Sequence, residues 1–85
     1  FDKAKAAMII TTKPKHISQA LSEEFGSGIT LWEGHGYYSD KEKTVIYFVV
    51  NRFQIGKMKT IVQQNDENAF ISITEVADVL GRNTK

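Results

Sequence analysis

The run Thr44-Val45-Ile46-Tyr47-Phe48-Val49-Val50 narrows what this chain can fold into more than any other segment. It is dense in β-branched and aromatic residues and far too short to cross a bilayer, so it reads as a strand. Side chains alternate along a strand, which sends Val45, Tyr47 and Val49 to one face and Ile46, Phe48 and Val50 to the other. Both faces are apolar, the pattern of a strand held in the middle of a sheet.

The remaining segments supply its neighbours. Residues 6–12 form a second apolar run, stopped by Lys13-Pro14. Pro14 suits the first turn of a helix, and Ile17, Ala20, Leu21 and Phe25 recur at helical spacing, which predicts a helix over 14–25 ending at Gly26-Ser27-Gly28. Residues 29–33 alternate as a strand that Gly34 and Gly36 interrupt, and residues 39–43 read as a solvated turn. Asn51 with Gln54 has the spacing of a capping box, and Ile55, Met58, Ile61 and Val62 form one helical stripe, which predicts a helix over 52–64. Gly56 within it costs about 1 kcal/mol relative to Ala unless the backbone packs closely there. Residues 64–68 break the helix and 69–74 alternate as a last strand. Val76, Val79 and Leu80 predict a further strand or a turn of helix.

This order is that of an α+β, ferredoxin-like βαββαβ sandwich: a four-stranded antiparallel sheet with two helices on one face, the first and third strands central. Two helices cover one face only. The second face, with Val45, Tyr47 and Val49 on the third strand and Trp32 beside them, is the expected interface with another copy of the chain.

Composition removes several functions. Eighty-five residues make one domain, with residues 1–5 expected as a linker or the remnant of a cut chain, 6–81 as the domain and 82–85 as a tail. Phe1 is no natural initiator, and the first five residues lack the pattern of a secretory signal, so the chain reads as a fragment of a longer protein. A net charge of +1 gives no basic face for nucleic acid. RNA-recognition modules share the element order, but the third strand lacks their basic-glycine-aromatic pattern and Met8-Ile9-Ile10 offers no stacking ring. With no Cys, Glu33, His35 and His16 do not make a complete metal site, and no metal or cofactor is assigned. No nucleophile–base pair or phosphate-loop motif is present, so the expectation is a domain that is not an enzyme.

One segment does suggest a ligand. Gly34 and Gly36 allow a backbone or ligand to come close, Tyr37 and Tyr38 offer flat surfaces with polar tips, and Lys41 and Lys43 follow within reach. These six residues are the candidate ligand-binding set; the alternative is a bulged hairpin whose tyrosines pack on the core.

Gly28-x-Thr30, Gly34-x-Gly36-x-Tyr38-Ser39, Lys41-Glu42-Lys43 before an apolar strand, Asp66 with Ala69-Phe70, and Val79-x-Gly81 together resemble the C-terminal domain of the YitT family, bacterial multi-pass membrane proteins of unknown function. The resemblance runs from about residue 8 to 81. It implies a PII-like variant of the ferredoxin-like fold, attached to a transmembrane region and lying on the cytoplasmic face of the bacterial membrane. PII-like proteins form trimers and hold small anionic or nucleotide ligands between subunits, near the base of the loop joining the second and third strands. Carried onto this chain, that region is Gly34, Gly36, Tyr37, Tyr38, Lys41 and Lys43. The expectation is a regulatory, ligand-sensing homo-oligomer, trimer or dimer. The competing expectation is an oligomerisation domain with no ligand.

Overall fold

The doubly apolar run becomes β3 (Glu42–Asn51), paired antiparallel with β1 (Ala4–Thr11) on one side and β2 (Thr30–His35) on the other. With β4 (Phe70–Glu75) beside β1, the sheet order is β2-β3-β1-β4, and β1 and β3 are central as expected. The computed structural model describes residues 4–26 and 28–81. Residues 1–3, 27 and 82–85, which hold most of the expected linker, Ser27 of the helix stop and the expected tail, lie outside the described residues.

Helix α1 (Pro14–Phe25) has Pro14 in its first turn, where the missing N–H costs nothing. It stops at Gly26, which takes φ 63° and donates its N–H to the Ser22 carbonyl at 2.8 Å. The capping box forms as read: Asn51 Oδ1 accepts from the N–H groups of Phe53 and Gln54, and Gln54 Oε1 accepts from the Asn51 N–H at 3.0 Å. Its first product is a single 3-10 turn, Arg52–Gln54, and α2 (Ile55–Asn65) starts after it. The helix expected from residue 52 therefore begins as a tighter turn, which is common at a helix N-terminus.

Both helices lie on the face that carries Ile46, Phe48 and Val50. Ile17 and Leu21 of α1 and Met58 and Val62 of α2 close over those residues and over Ala7 and Ile9 of β1, all sealed from solvent. Phe48 is the largest of them and meets the Phe25 ring at 5.6 Å between centroids. Lys57 and Glu24 join the helices at the surface, 3.2 Å apart.

The register makes the opposite face explicit. One row runs Trp32, Val45, Ile10, Phe70 across all four strands, and the next runs Thr30, Tyr47, Met8, Ser72. Trp32 and Tyr47 touch, with ring centroids 6.3 Å apart. Val49 follows beside Ala6. No helix among the described residues lies over this face: Met8, Trp32 and Phe70 on it are exposed, while Ala4 and Ala6, at the end where Val76 donates to the Ala4 carbonyl, are buried, and Leu80 beyond is almost completely exposed.

Four expectations are corrected by pairing. Ala4 and Lys5 belong to β1 rather than a linker, because Asn51 and Val50 reach far enough to pair with them. Gly34 does not interrupt β2; it pairs with Lys43, and the strand continues to His35. The last strand starts one residue later than expected and extends to Glu75, where Lys5 holds it with a 2.8 Å ion pair. Val76, Val79 and Leu80 form neither strand nor helix: Val76 makes one backbone bond, to Ala4, and Leu80 is almost fully exposed.

Gly56 also has no close neighbour: an added Cβ would meet nothing within 4 Å. Gly56→Ala should therefore stabilise the fold by about 0.5–1 kcal/mol through helix propensity, while Phe48→Ala should cost about 3–5 kcal/mol. Urea denaturation at one temperature reads both, as shifts of the midpoint in opposite directions.

Candidate functional site

Where β1, β3 and β4 end together, the loops at one end of the sheet enclose an open cavity of about 260 Å³. Thr11 and Thr12 supply one wall, Ser39, Lys41 and Lys43 of the hairpin a second, and Asp66, Asn68 and Phe70 a third. By register Ile10, Lys43 and Phe70 lie on the uncovered side of the sheet, so the cavity opens beside the apolar rows. Its lining brings together two lysines, the Asp66 carboxylate, and the apolar side chains of Ile10 and Phe70.

The hairpin that carries the lysines is built tightly. The Gly36 N–H donates to the Lys41 carbonyl at 2.8 Å, and the Asp40 N–H donates to the Gly36 carbonyl at 2.9 Å. A Cβ on Gly36 would come within 2.5 Å of Ser39 Oγ, so a side chain there would turn the Ser39 hydroxyl out of its place, while the Lys41 carbonyl at 3.5 Å is an ordinary contact. Gly34 is different: a Cβ there would sit 3.5 Å from Val45, an ordinary contact. Asp40 takes φ 57°, a conformation Asp tolerates better than most side chains. The His35 ring lies between two carboxylates, with Nδ1 2.5 Å from Glu42 Oε1 and Nε2 2.8 Å from Asp40 Oδ1. Glu42 first and Asp40 second raise the imidazole above its ordinary pKa of 6.5.

Thr11 and Asp66 fix the opposite wall. Thr11 Oγ1 donates to Asp66 Oδ2 at 2.5 Å and accepts from the Lys13 N–H at 2.9 Å, while Asp66 Oδ1 accepts from the Asn68 N–H at 3.0 Å. Asp66 is 4% exposed, and the Thr11 hydrogen bond above all holds its carboxyl below the ordinary 3.8, with Lys13 adding to the effect.

Of the six residues singled out in the sequence, the cavity gathers Lys41 and Lys43. Gly34 sits in the strand and Gly36 shapes the turn. Tyr37 and Tyr38 project into solvent, 95% and 100% exposed, and pack neither on the core nor in the cavity. Trp32, Val45, Tyr47 and Val49 share the uncovered face, as the alternation requires. Glu33 accepts from Thr44 Oγ1 at 3.4 Å instead of joining His35. Sequence reasoning missed Thr11, Asp66 and the clamp on His35; the readable signal was the equal distance of His35 and Glu42 from the turn between them.

Comparison with known proteins gives a consistent picture. The family described as "Uncharacterized protein conserved in bacteria (DUF2179)" matches residues 27–81. "UPF0750 membrane protein YvjA" of Bacillus subtilis (strain 168) is 32% identical over 85 residues, 100% of this chain and 30% of that protein. "UPF0750 membrane protein YitT" of the same strain is 28% identical over 75 residues, 88% of this chain and 27% of that protein. The chain thus spans less than a third of these relatives, and no helix among its described residues is long and apolar enough to cross a membrane. Among solved structures, Arabidopsis thaliana PII bound to citrate superposes with a TM-score of 0.77 at 21% identity, over 93% of this chain and 81% of that one. The fold is PII-like.

Asp66→Ala should destabilise the chain by about 1–3 kcal/mol, because the Thr11 hydroxyl and the Asn68 N–H lose a largely buried acceptor. A carboxyl with a depressed folded-state pKa contributes stability that is present above its unfolded value and lost as pH falls through the lowered one. Urea midpoints of the parent chain should therefore drop on acidification below 3.8, and Asp66→Asn should lack that part of the drop.

Proposed function

Because the chain belongs to the DUF2179 family, whose relatives here are membrane proteins, we propose that it is the ligand-responsive, non-enzymatic domain of such a protein. It is joined to a transmembrane region and lies on the cytoplasmic side. Copies of the domain meet through the uncovered sheet face, and a small anionic ligand occupies the cavity at the edge of that contact.

The observation that carries this reading is the cavity's position. Lys41 and Lys43 line it, and Ile10 and Phe70 belong both to its lining and to the apolar row that includes Trp32 and Val45. A second copy placed on that row would turn an open cavity into a cleft with two protein walls. Strand spacing and rise give the uncovered face an area on the order of 400 Å², the size at which apolar patches on soluble proteins are usually used for something. Two ammonium groups against the single carboxylate of Asp66, beside Ile10 and Phe70, suit an anion with a compact carbon skeleton. The citrate bound to the plant PII is that protein's own ligand; here it only places an organic anion among the first compounds to try. The PII-like fold further supports the hairpin region as the ligand end of the domain.

The competing reading keeps the apolar contact and drops the ligand. It is favoured by the same rows of side chains, and the cavity separates the two. Thermal unfolding in the presence of nucleotides, cyclic dinucleotides and di- and tricarboxylates distinguishes them, since a compound binding only the folded state stabilises it by mass action. At about 100 times its Kd a true ligand should raise the midpoint by about 10 °C or more, and Lys41→Ala or Lys43→Ala should reduce that shift. No shift across the panel, with unchanged midpoints for both lysine variants, would leave the ligand-free oligomerisation domain as the reading that stands.

A further inference from the structure

The His35 clamp is not required by the fold or by the ligand reading. His35 ends β2, Glu42 opens β3 directly opposite it, and Asp40 lies in the turn between them. Both ring nitrogens sit within hydrogen-bond distance of a carboxylate oxygen, Nδ1 of Glu42 and Nε2 of Asp40. Neutral imidazole carries a single N–H, so only imidazolium can donate to both. Closure of this hairpin therefore fixes a protonation state.

We propose that His35, Asp40 and Glu42 form a proton-operated clasp that holds the hairpin tip and thereby sets the position of Ser39 and Lys41 at the cavity. The route is short. Asp40 holds φ 57° in a turn closed by the Gly36–Lys41 and Asp40–Gly36 backbone bonds, and its carboxylate is tied to the ring. Ser39 and Lys41 are its chain neighbours, and both line the cavity. When His35 loses its proton, one carboxylate faces a lone pair in place of a donor, and the side-chain tie on one side of the turn is lost.

The other charged side chains of the same hairpin are Glu33 on β2, Lys43 on β3 and Lys41 in the turn. Among the described residues both polar contacts to the imidazole come from Asp40 and Glu42, and none from the helices. A histidine whose folded-state pKa is raised contributes its stabilisation fully below the unfolded value of 6.5 and loses it as pH rises through the raised value. The clasp is thus closed on the acid side of neutrality and opens toward alkaline pH. Its effect on cavity occupancy rests on the ligand reading above; the clasp itself does not.

Nuclear magnetic resonance of the 85-residue chain tests it with the proton as the only ligand. In the parent chain the His35 ring should titrate above 6.5, with both nitrogens protonated on the acid side. The amides of Gly36, Ser39, Asp40 and Lys41 should shift with the same midpoint. The open fraction of the tip should rise about two- to fivefold across that midpoint, the range expected of a surface ion pair. Glu42→Gln should move the ring titration down, and His35→Gln should abolish the amide shifts at that midpoint while leaving the urea midpoint of the whole domain nearly unchanged. A ring that titrates at or below 6.5, or tip amides that follow pH equally in the parent and in His35→Gln, would overturn the proposal. The compound panel is scored separately, so a chain that shows the clasp but takes no metabolite loses the ligand reading and keeps this one.

Discussion

The structure depends on one strand having two greasy sides. β3 lies between β1 and β2, and its alternation gives each face of the sheet an apolar row before any other element contributes. The helices bury Ile46, Phe48 and Val50 and in doing so use all the helix this chain has among its described residues. Burial of such side chains is worth about 1.5–3 kcal/mol each, so this face supplies the cohesion of an isolated domain. The other face repeats the same chemistry with no helix over it among the described residues. Met8, Trp32 and Phe70 on it are 39%, 42% and 61% exposed, in rows that cross the whole sheet rather than as scattered single residues.

That imbalance links the fold to the proposed function. The end of the uncovered face nearest the hairpin is also where the side chains change from apolar to cationic, from Ile10 and Phe70 to Lys43 and Lys41. A contact between copies and a ligand at its margin would share residues, so each would bias the other through differential affinity for one arrangement of the hairpin. The hairpin suits that role, with exposed polar contacts, a left-handed Asp40 and no core residue at its tip. Segments with few buried contacts move at the lowest free-energy cost. The Thr11–Asp66 wall is the rigid counterpart across the cavity, tied by buried hydrogen bonds.

Much of the architecture was readable from local pattern, since helix stripes, the Pro14 start, the Gly26 stop and the capping box are decided within a few residues. The central placement of β3 followed from its two apolar faces. What escaped was set by pairing partners distant in sequence. Nothing in Ala4-Lys5 announces a strand until Val50 and Asn51 lie opposite, and Gly34 looks like a breaker until Lys43 pairs with it. Thr11 and Asp66 are 55 positions apart, and neither residue type predicts the other. The tyrosine pair misled for a related reason: aromatic rings imply a surface to rest on, and Tyr37 and Tyr38 at the hairpin tip have none.

Sedimentation equilibrium of the parent chain beside Tyr47→Glu is the most direct test that the uncovered face takes a second copy. Tyr47 lies in the middle of that face and away from the helices, so the substitution should leave the core intact. A parent chain that associates, with a variant that is folded and monomeric, is the predicted result. A parent chain that stays monomeric at concentrations well above those of ordinary oligomers, or a variant that associates equally well, would contradict the account.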